Sequence, residues 1–450
     1  MTGAPDLPGK PEEPVEEVPE DVPEEVPEAP PEEAPLLELR DGLPPVVETP
    51  AALAEVVAAV RSGTGPLAID AERASGYKYS ARAYLVQLRR EGAGTALIDP
   101  IGFDDLGPLQ EAIGDTEWIL HAASQDLSCL AAIGLRPTNL FDTELAGRLL
   151  GYPRVGLGTL VETIVGKRMR KEHSAVDWST RPLPGPWLEY AALDVEVLIE
   201  LRDVLAAELE ATGKAEWARQ EFAHLVSSGP SEPRLDPWRR TSGMHKARGR
   251  RAVAAVRALW EMRNDIAEKR DVTPGRILPD SAIVEAANAL PRDKGSLLGL
   301  KGFNGRGAAR YSTQWVTALR EARALPEEEL PPVNARYDGP PPPRVWADRD
   351  PVAFVRLTLA RAELKELAER LDLPLENLIT PDYVRRLLWE PPNDTNDTSG
   401  TNDTNAPGDT AGTGDLAALV GARLAELGAR PWQIELTREV LARAIRAARE

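Results

Sequence analysis

An α/β domain followed by all-α helical bundles is the architecture that this residue pattern requires. Short apolar runs of strand type, separated by turn-rich segments, fill the stretch from residue 66 to residue 123. Helical periodicity takes over near Pro186 and persists, with interruptions, to the end. Proline-rich and polar low-complexity segments then divide the helical part into modules. At 450 residues the chain exceeds what one core supports, so two to four domains are expected.

In chain order, residues 1–36 form an acidic Pro/Glu-rich tail (PEEPVEEVPEDVPEEVPEAPPEE) that repels itself and lacks apolar mass, so disorder is expected. Residues 37–228 read as the α/β domain. PLAIDAE (66–72), YLVQLRR (84–90) and TALIDP (95–100) predict a strand meander, and EWILHAA (117–123) another strand between helical stretches. Asp142-Thr143 can cap a helix through Leu150 that stops at Gly151. A long helix is expected from about Pro186 to Thr212, with Leu188, Ala192, Val195, Ile199 and Val204 along one stripe. A linker at 229–240 leads to a helical module at 241–325. A Pro-rich linker at 326–344 leads to a second at 345–450, interrupted by a polar insert at 393–414.

Charge is unevenly spread. The net charge is −19, which by itself argues against a nucleic-acid partner. Yet Met1–Pro35 holds twelve acidic residues against one lysine, whereas Trp238–Arg323 holds 18 Lys/Arg against 8 Asp/Glu, a net +10. One cysteine, Cys129, excludes an intramolecular disulfide and fits a reducing compartment. No run has the length of a membrane span, and no basic head precedes an apolar run at the start. A cytoplasmic protein with no membrane partner is expected, working as a monomer.

The chemistry-bearing residues are acidic. Asp70 and Glu72 end an apolar strand, where i and i+2 share a face; alone, the pair equally fits a solvated strand end. Asp126 follows the next strand, 54 residues after Glu72, where a helix cap is an ordinary alternative. Tyr190 and Asp194 stand at i and i+4 and stack on one helix face, as on many amphipathic helices. Together these carboxylates would repel strongly in a partly dry cleft unless divalent cations neutralise them. All-oxygen ligands favour Mg²⁺ or Mn²⁺, and with four His and one Cys a zinc site has little material.

The strings LAIDAE, YLVQLRR, FDTELAGRLLG, KEHSAVDWSTRPLP and EYAALDVEVLIELRD together resemble the ribonuclease D family, whose DEDDy 3′-5′ exonuclease domain precedes C-terminal HRDC domains. The likeness covers roughly residues 45–325. It implies a ribonuclease H-like fold, a mixed sheet flanked by helices. It also implies 3′-5′ exoribonuclease activity that releases nucleoside 5′-monophosphates, with single-stranded 3′ ends and tRNA precursors as partners. By the same resemblance Asp70 bridges two divalent cations, Glu72 binds one and the terminal 3′-hydroxyl, Asp126 and Asp194 complete the shells, and Tyr190 orients or deprotonates the attacking water. Substrate contacts are expected from Gln87, His121, Lys171, His173, Trp178 and Arg181, the loop residues mixing cationic and aromatic groups. Residues 241–325 resemble an HRDC domain, and residues 345–450 a second, more diverged HRDC-like one. Arg248, Arg250, Arg251, Lys301, Arg306 and Arg310 are the first one's expected nucleic-acid contacts, the last three around the Gly-rich turn GLKGFNGRGAARY. A 3′-5′ DNA exonuclease of Werner type and a non-catalytic nucleic-acid-binding protein are the competing readings, since the acidic motif does not read the 2′-hydroxyl.

Overall fold

The run PLAIDAE becomes the middle of a sheet in the computed structural model, which describes residues 33–170, 175–229, 235–334, 339–392 and 416–448. The strands are β1 (Val46–Val47), β2 (Thr64–Arg73), β3 (Ala83–Glu91), β4 (Gly94–Ile98), β5 (Glu117–Leu120) and β6 (Asn139–Asp142), in the order β1-β4-β3-β2-β5-β6. The expected meander is present: β3 runs antiparallel to β2 and β4. Its β3–β4 turn needs Gly92 at φ 79°, a conformation that costs glycine little. β5 pairs parallel to β2, and β6 parallel to β5. The sheet is therefore mixed, and β2 sits between an antiparallel and a parallel neighbour. The carboxyl ends of β2, β5 and β6 consequently lie at one edge of the sheet, where ligands collect in open α/β sheets.

Helices cover both faces. They are α1 (Pro50–Ser62), α2 (Gly107–Ile113), α3 (Leu127–Ala132), α4 (Thr143–Leu149), α5 (Leu157–Leu160), α6 (Gly185–Glu196), α7 (Leu198–Ala211) and α8 (Ala215–Ser227). The single helix expected over 186–212 is broken at Val197 into α6 and α7. The break rotates the buried stripe: Ala192 and Val195 are buried before it, but Leu198, Leu201, Leu205 and Leu209 after it, so Val204 is left exposed. From Ala191 to Glu196 every residue of α6 is buried.

The C-terminal part has two unlike portions. Helices α9 (Gly249–Arg270), α10 (Pro274–Ile277), α11 (Asp280–Ala289), α12 (Lys294–Leu298), α13 (Arg306–Arg310) and α14 (Ser312–Ala324) close around their own core of Leu259, Ile283, Phe303, Trp315 and Leu319. This bundle touches the loop after β2. The Thr273 N–H donates to Tyr77 O at 3.0 Å, the Ser80 N–H to Asp271 Oδ1 at 2.9 Å, and Tyr79 Oη to Asn264 Oδ1 at 3.1 Å. Helices α15 (Trp346–Arg349), α16 (Pro351–Arg370), α17 (Leu375–Leu378), α18 (Pro381–Trp389), α19 (Leu416–Glu426) and α20 (Pro431–Ala447) behave differently: their apolar residues run continuously into the core of the α/β domain. Trp432 stacks on Trp217 of α8 at 5.0 Å, and its indole N–H donates to Glu221 Oε1 at 2.9 Å. Arg430 donates to the same oxygen at 2.7 Å. Among the described residues no helix is long and apolar enough to cross a membrane.

Candidate active site

β2 delivers Asp70 and Glu72 to one face at its carboxyl end. α6 lies across that face and brings Asp194 down onto them. Carboxylate oxygens of Asp70, Glu72 and Asp194 all fall within 4.8 Å of one another. Tyr190, one turn earlier, hydrogen-bonds Asp194 through its hydroxyl. Asp126 arrives from β5 through a tight turn in which Ala122 adopts a left-handed conformation (φ 57°). It lines the same cleft, of about 1160 Å³, as the other three carboxylates and Tyr190. The five residues singled out in the sequence thus meet in one cleft, with Asp126 outside the tightest group and 3.6 Å from Arg73 Nε.

The electrostatics follow from burial and like charge. Desolvation, then the neighbouring Asp70, Asp194 and Asp126, push the Glu72 carboxyl up to about 10. Burial and Asp70 raise Asp126 to about 8, against the pull of Arg73. Asp70 and Asp194 are also held above the carboxylate range, in both cases chiefly by desolvation. Four acidic groups that resist ionising together, with oxygen donors alone, are what a pair of hard divalent cations would relieve; the donor set fits such ions and does not suit zinc. Burial, then Asp194 and Glu72, raise the Tyr190 phenol, so it keeps its proton at neutral pH.

A buried carboxylate holds the Asp126 turn in place. Asp142, at the end of β6, accepts from the N–H groups of Ala122 (3.1 Å) and Ala123 (2.8 Å) and caps α4 through Glu144 (2.9 Å) and Leu145 (3.2 Å). His121 lines the cleft, with Nδ1 2.9 Å from Thr143 Oγ1. Burial lowers its pKa to about 4, so its imidazole is neutral.

The other expected substrate contacts fare differently. Gln87 stands opposite Asp70 in the β2–β3 register but is fully buried beneath α6, so it does not reach substrate. Trp178, expected to stack on a base, is fully buried against Trp187, with ring centroids 5.7 Å apart, and has no exposed face to offer. Arg181 is also corrected. Its guanidinium donates to both Asp99 oxygens (2.5 and 2.8 Å) and to the carbonyls of Tyr84, Trp178 and Thr180, which uses all its donors within the fold. Lys171 and His173 lie outside the described residues. The cleft is lined instead by Arg73, Arg154, Arg168 and Arg170. The basic run KRMRK was the sequence signal for the last two.

In the bundle, Arg251 donates to the carbonyls of Ala322, Arg323 and Leu325 and to Glu327, and Arg250 donates to Leu330 O. Arg251 closes the bundle rather than facing a ligand, whereas Arg250 is anchored at one point and otherwise exposed. Arg248, Lys301, Arg306 and Arg310 are exposed.

Three family models match the chain: "3'-5' exonuclease" over residues 44–210, "HRDC domain" over 253–319, and "3' to 5' exonuclease C-terminal domain" over 339–406. Ribonuclease D of Gluconacetobacter diazotrophicus is 32% identical over 322 residues, which span 69% of this chain and 79% of that protein. The chain belongs to the ribonuclease D family. Ribonuclease D of Escherichia coli is likewise 32% identical, over 64% of this chain and 76% of its own. Among solved structures, a protein from Bifidobacterium adolescentis is 37% identical with a TM-score of 0.81, covering 92% of this chain and all of that one. Escherichia coli RNase D, described as an exoribonuclease involved in structured RNA processing, is 26% identical with a TM-score of 0.64, over 90% and 98% of the two chains. Membership makes this ribonuclease D relative a 3′-5′ exoribonuclease, and the DNA-directed and non-catalytic alternatives are not favoured.

Proposed function

We propose that this enzyme removes nucleotides one at a time from RNA 3′ ends by hydrolysis with two divalent cations, Mg²⁺ or Mn²⁺. Its substrates are single-stranded 3′ ends of structured RNAs such as tRNA precursors. It works as a monomer in the cytoplasm, a reducing setting that suits its single cysteine, Cys129. The observation that carries the reading is the convergence of Asp70, Glu72 and Asp194 within 4.8 Å, with Asp126 in the same cleft.

Asp70, between its neighbours on β2 and α6, would be shared by both cations; Glu72, Asp126 and Asp194 would complete their shells. Bound there, the cations supply Lewis-acid stabilisation to the attacking and leaving oxygens of an in-line displacement. The protein does the rest. Tyr190, whose hydroxyl hydrogen-bonds Asp194, would orient the attacking water or help its deprotonation. The new bond joins water oxygen to the scissile phosphorus as the P–O3′ bond breaks; the water's proton passes to solvent, the departing 3′-oxygen takes one up, and a nucleoside 5′-monophosphate leaves. We assign residues 37–228 to the nuclease domain, 241–325 to the HRDC module and 345–448 to a helical region that buttresses the nuclease. The exposed Arg248, Lys301, Arg306 and Arg310 of the HRDC module suit phosphate contact along the rest of the RNA.

The test is digestion of 3′-labelled single-stranded RNA and sequence-matched DNA with Mg²⁺, Mn²⁺ or chelator. RNA should be shortened stepwise with either metal and left intact with chelator, and Asp70→Asn should abolish turnover while RNA binding survives. Equal digestion of RNA and DNA would remove the RNA assignment. Retained activity in Asp70→Asn would remove Asp70 from the metal site.

A further inference from the structure

Strict strand alternation would turn Arg73 away from the face that Asp70 and Glu72 share. The β2–β3 register slips at this point, however. Glu72 pairs with Leu85 but Arg73 with Ala83, an irregularity of the kind that re-aims a side chain beside an active site. Arg73 therefore lines the same cleft as the carboxylates, its side chain 29% exposed and its Nε 3.6 Å from Asp126 Oδ1.

Charge balance gives this cation a role. Asp70, Glu72, Asp126 and Asp194 carry four negative charges when ionised, and two divalent cations cancel them. A phosphodiester then brings one further negative charge, and of the arginines that line the cleft Arg73 holds its positive charge beside a carboxylate of the site, 3.6 Å from Asp126. Once cations occupy the carboxylates, Asp126 has less need of the guanidinium. The non-bridging phosphate oxygens become the stronger partner, with a planar geometry that a guanidinium matches.

We propose that Arg73 is a further catalytic residue, whose guanidinium leaves Asp126 to hydrogen-bond a non-bridging oxygen of the scissile phosphate and stabilise its charge in the transition state. The proposal rests on the two-cation reading above. It is tested with Arg73→Gln and Arg73→Lys by three measurements: kcat and KM on RNA at saturating Mg²⁺, calorimetric Mg²⁺ binding without RNA, and melting temperature. Loss of a donor aimed at developing charge should lower kcat of Arg73→Gln by at least about tenfold. Mg²⁺ affinity should stay the same or rise, because a cation competing for Asp126 is gone. Arg73→Lys, which keeps the charge but not the fork, should recover part of the rate. If Arg73→Gln does not fold, the lysine variant decides: reduced kcat with undiminished Mg²⁺ affinity supports the proposal, and wild-type kcat overturns it. It is also overturned if Arg73→Gln keeps its kcat, or if it binds Mg²⁺ more weakly and regains full kcat when Mg²⁺ is raised. That last result would make Arg73 a mere brace for Asp126. A wild-type enzyme that leaves RNA intact under the same conditions defeats the hydrolysis reading itself, and this proposal with it.

Discussion

Replacing Asp142 by alanine takes one acceptor carboxylate away from four backbone N–H groups at once. Two of these, on Ala122 and Ala123, belong to buried residues, where an unsatisfied donor costs ~1–3 kcal/mol each. The other two form the cap of α4, whose loss costs ~1 kcal/mol because water can replace it in part. The sum, roughly 3–7 kcal/mol, is a large share of the ~5–15 kcal/mol that stabilises a typical native protein. Asp142→Asn retains an oxygen for three of the four donors and turns an N–H toward Ala123, so it should cost only ~1–2 kcal/mol. The functional consequence comes through Ala122. Its left-handed conformation is disfavoured for alanine and is tied by this carboxylate. Releasing it loosens the turn that presents Asp126. Urea unfolding followed by tryptophan fluorescence should therefore show Asn milder than Ala, and half-saturating Mg²⁺ for RNA digestion should rise in the same order. A variant Asp142→Ala with wild-type unfolding free energy, or with an unchanged Mg²⁺ requirement, would refute the link between the β6 carboxylate and the cleft.

Other perturbations follow from the same geometry. Arg181→Ala strands the buried Asp99 carboxylate and should cost ~3–5 kcal/mol, read as a lower melting temperature with little change in KM; a large KM increase at unchanged stability would restore Arg181 as a substrate contact. Trp432→Ala removes a buried indole stacked on Trp217 and should cost ~3–5 kcal/mol within one cooperative transition shared by α8 and the C-terminal helices; two separate transitions in the wild type would contradict a continuous core. Burial favours the protonated form of Asp271, but the hydrogen bonds from Ser80 and the charge of Lys78 outweigh it and hold the carboxyl below its usual 3.8. Its folded pKa is therefore depressed, so its contribution to bundle docking is complete above pH 3.8 and fades as pH falls through the folded value. Energy transfer between dyes on the bundle and the nuclease domain should accordingly drop below that pH, and in Asp271→Asn at neutral pH; a signal indifferent to both would show that docking does not depend on this contact.

Much of the nuclease domain is legible because its signals are local. The three meander strands announce themselves by apolar runs between turns, and Asp142 announces the start of α4 by ordinary capping chemistry. β1, with two residues, is too short to produce a pattern, and β6 offers only Leu140 and Phe141 where β5 has a run of three apolar residues; both exist through their pairing with β4 and β5. The break at Val197 is invisible for the opposite reason. The second half of α6, Ala191–Glu196, is buried on every side, so helical periodicity carries no phase information there, and the stripe extrapolated through it runs one residue out of step. Trp178 and Arg181 illustrate a further limit. Cationic and aromatic residues in a loop before a catalytic helix have the composition of a nucleic-acid contact, yet the same residues make good mortar. An indole fills volume, and a guanidinium can satisfy a buried carboxylate and three carbonyls at once.

Arg73 is the converse case. Alternation along β2 sends Asp70 and Glu72 to one side and Arg73 to the other, so sequence reasoning has no ground for adding an arginine to an acidic site. The register slip depends on where β3 begins to pair with β2, a property of two strands together and not of either alone. It changes what the site is electrostatically. Four carboxylates and two divalent cations would make a neutral metal centre. Arg73, 3.6 Å from Asp126, is the guanidinium set against that centre, while Arg154, Arg168 and Arg170 line the cleft with it. A chain with a net charge of −19 can thus meet a polyanion, because the sign that matters is set over a few ångströms at the cleft and along the basic bundle.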